Sequence, residues 1–259
     1  MEKSMTVRSK VIMKKRIMTA SLAAIALPLS AQAQSWEYSA SIYLWMSALD
    51  TTVETPRFTV ETELSFGDIL DKLDFAAFAK FEARNGPWVL IGDLNYTDLG
   101  TTLGTPGPII SGAEVDTALT ILSGFGGYAV IDRPDLRLEV GGGLRYYNLD
   151  LDTRIIGNIA PGGRSFGTSE SWVDPIVGVA VRAPLSERWF ARGFADVGGF
   201  GIGDASELSW QVYAGGGYVI NETWAVEFGY RHLSLEKELD NLTLEMDQSG
   251  PLIGLNARF

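Results

Sequence analysis

The stretch Leu136-Arg137-Leu138-Glu139-Val140-Gly141-Gly142-Gly143-Leu144-Arg145-Tyr146-Tyr147 alternates without a break. Leu136, Leu138, Val140, Gly142, Leu144 and Tyr146 share one side of an extended chain, and Arg137, Glu139, Gly141, Gly143, Arg145 and Tyr147 share the other. Successive strand residues point to opposite faces, so this is a strand with one apolar and one charged wall. The pattern recurs: Trp189, Ala191, Ala195 and Val197 oppose Arg192 and Asp196, and Trp224, Val226, Phe228 and Tyr230 oppose Glu227 and Arg231. Trp210, Val212, Ala214 and Tyr218 likewise oppose Gln211 and Tyr213. Within 114–131, Leu119, Ile121 and Phe125 oppose Leu122, Tyr128 and Val130, which leaves that strand's orientation open. Pro175, inside 170–183, predicts a bulge or a local break in the ladder.

Between the alternating segments stand compact turn signals: Asn85-Gly86-Pro87, Asp132-Arg133-Pro134-Asp135, Pro184 to Arg188, and Asn221-Glu222-Thr223. Longer polar stretches alternate with them at 50–74, 98–114, 152–170, 201–207 and 236–246. This punctuation predicts strands at 36–49, 74–85, 87–98, 114–131, 136–151, 170–183, 189–200, 208–220, 223–235 and 244–259. The expected fold is all-β, a closed antiparallel transmembrane β-barrel of ten strands, with short periplasmic turns and long extracellular loops. Twelve strands result if Thr51–Phe66 forms its own hairpin, and eight if two segments are spurious.

The charged face separates this barrel from a soluble one. Lys80, Glu82, Arg84, Asp93, Arg137, Glu139, Arg145, Asp174, Arg182, Arg192, Asp196, Glu227, Arg231 and Arg258 are assigned to the interior, most of them near mid-strand. Aromatic residues gather at the strand ends instead. Trp36, Trp88, Trp189, Tyr218 and Trp224 lie beside short turns or the mature start, and Tyr96, Tyr146, Trp210 and Tyr230 lie toward the long loops. Two aromatic girdles are implied. The interval from Trp88 to Tyr96, tilted as in such barrels, rises roughly 20 Å, near the ~25 Å lipid-facing band.

Composition narrows the function classes. The chain has 259 residues and no Cys, which removes disulfides, thiolate metal sites and cysteine nucleophiles. Its net charge of −11 argues against nucleic acid as a partner. No apolar run approaches the length of a membrane-crossing helix. Met13-Lys14-Lys15-Arg16, the apolar stretch Ile17–Leu29 and Ala31-Gln32-Ala33 have the order of a secretory signal peptide cleaved after Ala33. Met13 is a better functional start than Met1, so 1–33 is the expected leader and 34–259 one barrel domain. Removing the leader's six basic residues and one acid from totals of 21 and 32 leaves 15 against 31, a net −16. The expected location is the outer membrane of a Gram-negative bacterium.

The chain ends Pro251-Leu252-Ile253-Gly254-Leu255-Asn256-Ala257-Arg258-Phe259. A terminal Phe259 preceded by Ile253 and Leu255 at alternate positions resembles the C-terminal assembly signal of outer-membrane barrels, which the barrel-assembly machinery reads as a strand. The segments Ser171 to Gly178, Trp189 to Gly201 and Phe66-Gly67-Asp68-Ile69-Leu70 with Leu73-Asp74-Phe75 resemble an uncharacterised family of proteobacterial outer-membrane β-barrel proteins, small and porin-like. That resemblance implies the fold, the outer membrane and its lipopolysaccharide as surroundings. It implies no reaction.

Sorted by strand face, the interior holds eight basic residues and seven acids, the fourteen named above together with Glu37, and is nearly neutral. The long loops hold 20 acids and 5 bases. A narrow barrel with balanced interior charge is expected to be plugged by its own side chains, giving a structural or surface protein. The alternative is a narrow cation-preferring passive pore with an acidic mouth. The loop carboxylates are also expected to share divalent cations with lipopolysaccharide phosphates. No cofactor, metal site or catalytic residue is assigned.

A remote alternative is a lipid A-modifying hydrolase, because His232-Leu233-Ser234 resembles the His-x-Ser element of outer-membrane lipid A deacylases. Alternation makes His232 face lipid, opposite to the mouth-facing histidine of omptin-type proteases. The runs Gly141-Gly142-Gly143 and Gly215-Gly216-Gly217 lie mid-strand and open no helix, so they make room for curvature and bulky neighbours and do not cradle phosphate. Asp68 to Asp74 predicts a short amphipathic helix with Ile69, Leu70 and Leu73 on one side.

Overall fold

The computed structural model describes residues 36–56, 59–104, 110–157, 165–239 and 242–259. The expected leader, 1–33, lies outside the described residues. In chain order the elements are β1 (Glu37–Trp45), β2 (Ala48–Glu54), β3 (Thr59–Leu64), α1 (Phe66–Lys72), β4 (Leu73–Asn85), β5 (Trp88–Gly104) and β6 (Ile110–Arg133). They continue with β7 (Leu136–Gly157), β8 (Ser165–Pro184), β9 (Trp189–Gly199), β10 (Leu208–Val219), β11 (Trp224–Leu239) and β12 (Leu242–Arg258). β1 pairs with β4, each strand from β4 onward pairs with the next, and β12 returns to β1. Ten strands therefore close the wall, and β2 with β3 form an added hairpin.

Closure follows from what hydrocarbon demands, since an unpaired backbone donor has no water to turn to there. The last seam joins Ser39–Trp45 to Leu252–Arg258. It is extended by reciprocal backbone bonds between Tyr38 and Phe259, at 3.1 and 3.0 Å. All four compact turn signals are turns at one end of the barrel, the periplasmic end, and Gly86 takes a positive φ of 53° in the first.

The strand map needs three corrections. The first predicted strand, 36–49, breaks at Met46–Ser47, yet β2 continues β1 in the same register against β12, with Trp45 opposite Leu252 and Ala48 opposite Ser249. The segments 99–104, 110–113, 152–157, 165–169, 236–239 and 242–243, expected as loops, are strand. Polar, Thr-rich sequence there signals a wall standing in water, not a coil. Pro175 makes no bulge, sitting opposite Leu144 in an unbroken β7–β8 ladder, and the expected break falls on its other side, where the β8–β9 ladder begins only at Ile176. Proline's missing donor falls where β9 has already turned away. Register shifts occur instead at Leu73/Phe75, Ile110/Gly112 and Ala129/Ile131.

The orientation of β6 is now defined: Ile121 and Phe125 are buried inside, while Leu122, Tyr128 and Val130 face out. The glycine runs serve curvature, since a Cβ on the inward Gly143 would collide with the Gly124 carbonyl of the neighbouring strand. The predicted helix forms slightly earlier than expected, and only part of its apolar side is covered. Ile69 is buried but Leu70 is exposed. Its start is a capping box in which Ser65 Oγ accepts from the Asp68 N–H and Asp68 accepts from the Ser65 N–H at 3.0 Å.

Deleting Phe259 removes both backbone bonds to Tyr38, each worth about 0.5–1.5 kcal/mol net. The folded, heat-modifiable fraction recovered after refolding is expected to fall. An unchanged fraction would show that the seam closes without its last residue. The bonds from Ser65 hold the Asp68 carboxyl below its ordinary pKa. Its contribution is thus complete above the ordinary carboxylate range and is lost as pH falls through the lowered value. Amide exchange across 65–73 should accelerate on acidification in the native chain and show little further response in Ser65→Ala.

Candidate functional site

Alternation sends one set of side chains into the lumen, and there they stack in three layers. The lowest layer, next to the short turns, is ionic. Arg192 lies between Glu82, in close contact, and Glu227 at 2.9 Å. Lys80 reaches Glu227 at 3.1 Å, and Arg84 joins Glu82 at 2.6 Å and also contacts Glu139 closely. Arg137 binds Glu139 at 2.7 Å and Asp132 at 3.0 Å. These pairs cross the barrel from β4 to β7, β9 and β11, so they tie opposite walls together.

The middle layer is hydrogen-bonded and largely buried. Arg231 Nη1 donates to Asp93 and to Tyr43 OH, both at 3.1 Å, while its Nε and Nη2 donate to Gln211 Oε1 at 3.0 and 2.6 Å. Arg145 Nη2 donates to both oxygens of Asp196 at 2.8 and 2.7 Å, and neither side chain has exposed surface. Gln211 and Ser123 complete that pair at 2.6 and 3.0 Å. Between the lower and middle layers only a small cavity remains, about 90 Å³.

The upper layer is apolar and was not foreseen. Trp45, Ile121, Tyr147, Trp172, Leu233, Leu235 and Met246 pack into one buried cluster across the lumen. Tyr147 stacks on Trp172 with ring centroids 5.0 Å apart. The cluster meets the ionic layers through Arg231, whose guanidinium lies 4.8 Å over Trp45. Above it the β9–β10 connection folds inward through positive φ at Gly199, Phe200, Gly201 and Gly203. This buries Ala205 and Ser206 at the mouth. Ser206 Oγ accepts from Trp172 Nε1 at 2.8 Å, and its N–H donates to Asp174 at 2.7 Å.

The structure therefore brings twelve of the fourteen interior residues into contacts with one another or with the mouth: Lys80, Glu82, Arg84, Asp93, Arg137, Glu139, Arg145, Asp174, Arg192, Asp196, Glu227 and Arg231. Arg182 and Arg258 line the periplasmic vestibule outside this network. The upper layer was legible only by parity, because Tyr147 shares a face with Arg145, and Trp172 with Asp174.

The aromatic residues assigned to girdles all lie on the outer face. Trp36, Trp88, Trp189 and Trp224 are exposed near the short turns, with Tyr218 against Trp189 at 4.9 Å. Tyr146, Trp210 and Tyr230 are exposed nearer the other end, and Tyr96 packs on Phe75 there at 5.9 Å. Ile253, Leu255 and Phe259 face outward beside the closing seam. Between the girdles the outer face presents Leu90, Leu122, Val140, Leu144, Val177, Val179, Val212 and Phe228, an apolar belt that water would not tolerate. His232 also faces out, with its ring 4.7 Å from Trp210 and its Nε2 3.7 Å from Asp247. Among the described residues it makes no hydrogen bond to Ser234, which a nucleophile and its base require. No group of three or more His, Asp or Glu among the described residues is arranged to hold a metal ion.

No protein-family model matches the chain, and no curated protein matches it. Among solved structures, the outer membrane protease OmpT from Escherichia coli matches with a TM-score of 0.58 at 12% identity, over 90% of this chain and 99% of that one. The translocator domain of autotransporter NalP from Neisseria meningitidis matches at 0.47 and 15%, over 88% and 90%. Ail, the attachment invasion locus protein of Yersinia pestis, matches at 0.40 and 11%, over 87% and 99%. The likeness to OmpT is one of fold. Together with the apolar belt it gives this chain the architecture of a Gram-negative outer-membrane β-barrel.

Breaking a buried pair strands one charge, so Arg145→Met is expected to destabilise the barrel by about 3–5 kcal/mol. The double variant Arg145→Met/Asp196→Leu is expected to recover most of that loss. Urea unfolding of the refolded protein in lipid vesicles checks this, and equal losses in both variants would mean that the pair's charge is not what matters.

Proposed function

We propose that this chain is an integral outer-membrane protein with a closed lumen, a structural or surface-presenting barrel and not a passive pore. One observation carries the reading: the interior charges pair across the lumen instead of lining a water path, and a dry apolar layer lies above them. A conducting barrel needs a continuous polar route, whereas here an ion would have to cross Trp45, Trp172, Tyr147 and Leu233 without hydration. The leader ending at Ala33 delivers the chain to the envelope, and the outward Ile253, Leu255 and Phe259 serve its assembly machinery.

The part presented to the outside is the tall acidic wall. Asp98, Asp116, Asp150 and Asp152 lie on neighbouring strands above the outer girdle. Burial, with repulsion from Asp74, Asp98, Glu114 and Asp152, raises the Asp116 carboxyl above its ordinary pKa. These carboxylates act through their shared field, attracting divalent cations and the lipopolysaccharide phosphates those cations bridge. The His232 reading as a lipid A hydrolase lacks its hydrogen-bonded nucleophile, and no second observation favours it.

Refolded protein in a planar bilayer under a potassium chloride gradient should be silent. Removing the stopper with Trp45→Ala/Trp172→Ala should produce discrete conductance steps. Steps from the unmodified, heat-modifiable barrel would overturn the closed reading and restore the cation-preferring pore.

A further inference from the structure

Three arginines stand side by side at the periplasmic end of the lumen. Arg137 and Arg182 are directly opposed on β7 and β8, and Arg182 and Arg192 on β8 and β9. Like charges at opposed positions repel, so such a row needs compensation at each member. Arg137 has Glu139 and Asp132, and Arg192 has Glu82 and Glu227. The central one has no direct partner: among the described residues Arg182 makes no ion pair, feels Glu82 and Glu227 only at longer range, and holds its guanidinium over Phe190, 4.1 Å from the ring centroid.

Arg258, at the same end of the barrel on β12, is near enough to repel Arg182 and likewise forms no ion pair among the described residues. Both line a vestibule of about 610 Å³ that opens between the short turns. Glu37, Glu82, Glu222 and Glu227 border the same vestibule, but none comes within ion-pair distance of either arginine. The phenyl ring beneath it restrains the Arg182 fork, which lowers the entropy lost when the fork takes a partner.

We propose that Arg182 and Arg258 form an oxyanion site on the periplasmic side, built for a phosphate group. One fork satisfies a planar carboxylate by itself, whereas two unpaired forks facing one cavity suit a tetrahedral anion with more acceptor positions and up to two charges. The vestibule exceeds the size of bare phosphate, so a small phosphorylated solute fits beside the phosphate itself. The site lies below the apolar layer, so it does not depend on whether the barrel conducts.

The test uses the full mature chain refolded in detergent, with phosphorus NMR line broadening of inorganic phosphate and of glycerol phosphate. Saturable broadening is expected. Arg182→Gln and Arg258→Gln should each weaken it at least tenfold, and Arg133→Gln, at an exposed turn, should leave it unchanged. Tighter binding of the ester would identify a phosphorylated solute as the occupant, and equal binding would identify phosphate. If Arg182→Gln fails to give the heat-modifiable band, Arg258→Gln at the wall's last position carries the test. Absence of saturation in the folded unmodified chain, or saturation untouched by either substitution, overturns the proposal.

Discussion

Backbone pairing in hydrocarbon is the constraint from which the rest of this structure follows. An open sheet would leave a row of donors facing lipid, so the wall must close, and closure requires that β12 meet β1. Closing ten strands fixes a narrow bore, and a narrow bore fixes what its inward residues can be. Arg145 and Asp196 are tolerable in a dry interior only because each satisfies the other and Gln211 and Ser123 take up further positions. The inward glycines follow from the same geometry, because the wall bends too tightly at Gly143 for any Cβ beside Gly124.

The layering of the lumen then divides the work. Ionic pairs at the periplasmic end tie β4 to β7, β9 and β11 at the cost of desolvating many charges, a poor way to gain stability on its own. What they supply is registry between distant walls, since Arg192 can satisfy Glu82 and Glu227 together in only one arrangement. The apolar layer supplies the burial that a charged bore lacks. Arg231 over Trp45 joins the two kinds of layer, and on the mouth side Lys237, 5.9 Å from the Trp172 ring, donates to the Ala205 carbonyl at 3.5 Å.

Alternation made the face of every strand but β6 legible, and with it most wall residues. It gave no height. Arg137, Arg182 and Arg192 read as three members of a balanced interior set, but only the cross-strand registers show them abreast, with the central one unpaired. The stopper was hidden for a related reason: Trp45 and Trp172 look like girdle residues by type, and parity alone turns them inward. The tall extracellular wall was hidden by composition. Thr, Asp and Gly mark loops when one face of a strand is expected to be apolar, and above the membrane neither face needs to be.

The inserted hairpin gives the acidic rim a physical reason independent of any ligand. Because β2 holds the register of β1, β12 stays paired far above the point where β4 departs, at the last opposed pair Ile42 and Ala79. The far edge of β3 and the edge of β8 above Ile176 are then strand edges standing in water, without a neighbour strand among the described residues. Such edges recruit other chains unless charge prevents it. Glu61 and Glu63 lie on β3, Glu170 lies on the upper part of β8, and Asp98, Asp116, Asp150 and Asp152 cover the sheet between β5 and β8. A rim with so large an excess of acid disfavours pairing between copies of such edges. The excess acid of the chain is therefore explained by the height of its wall before any appeal to transport.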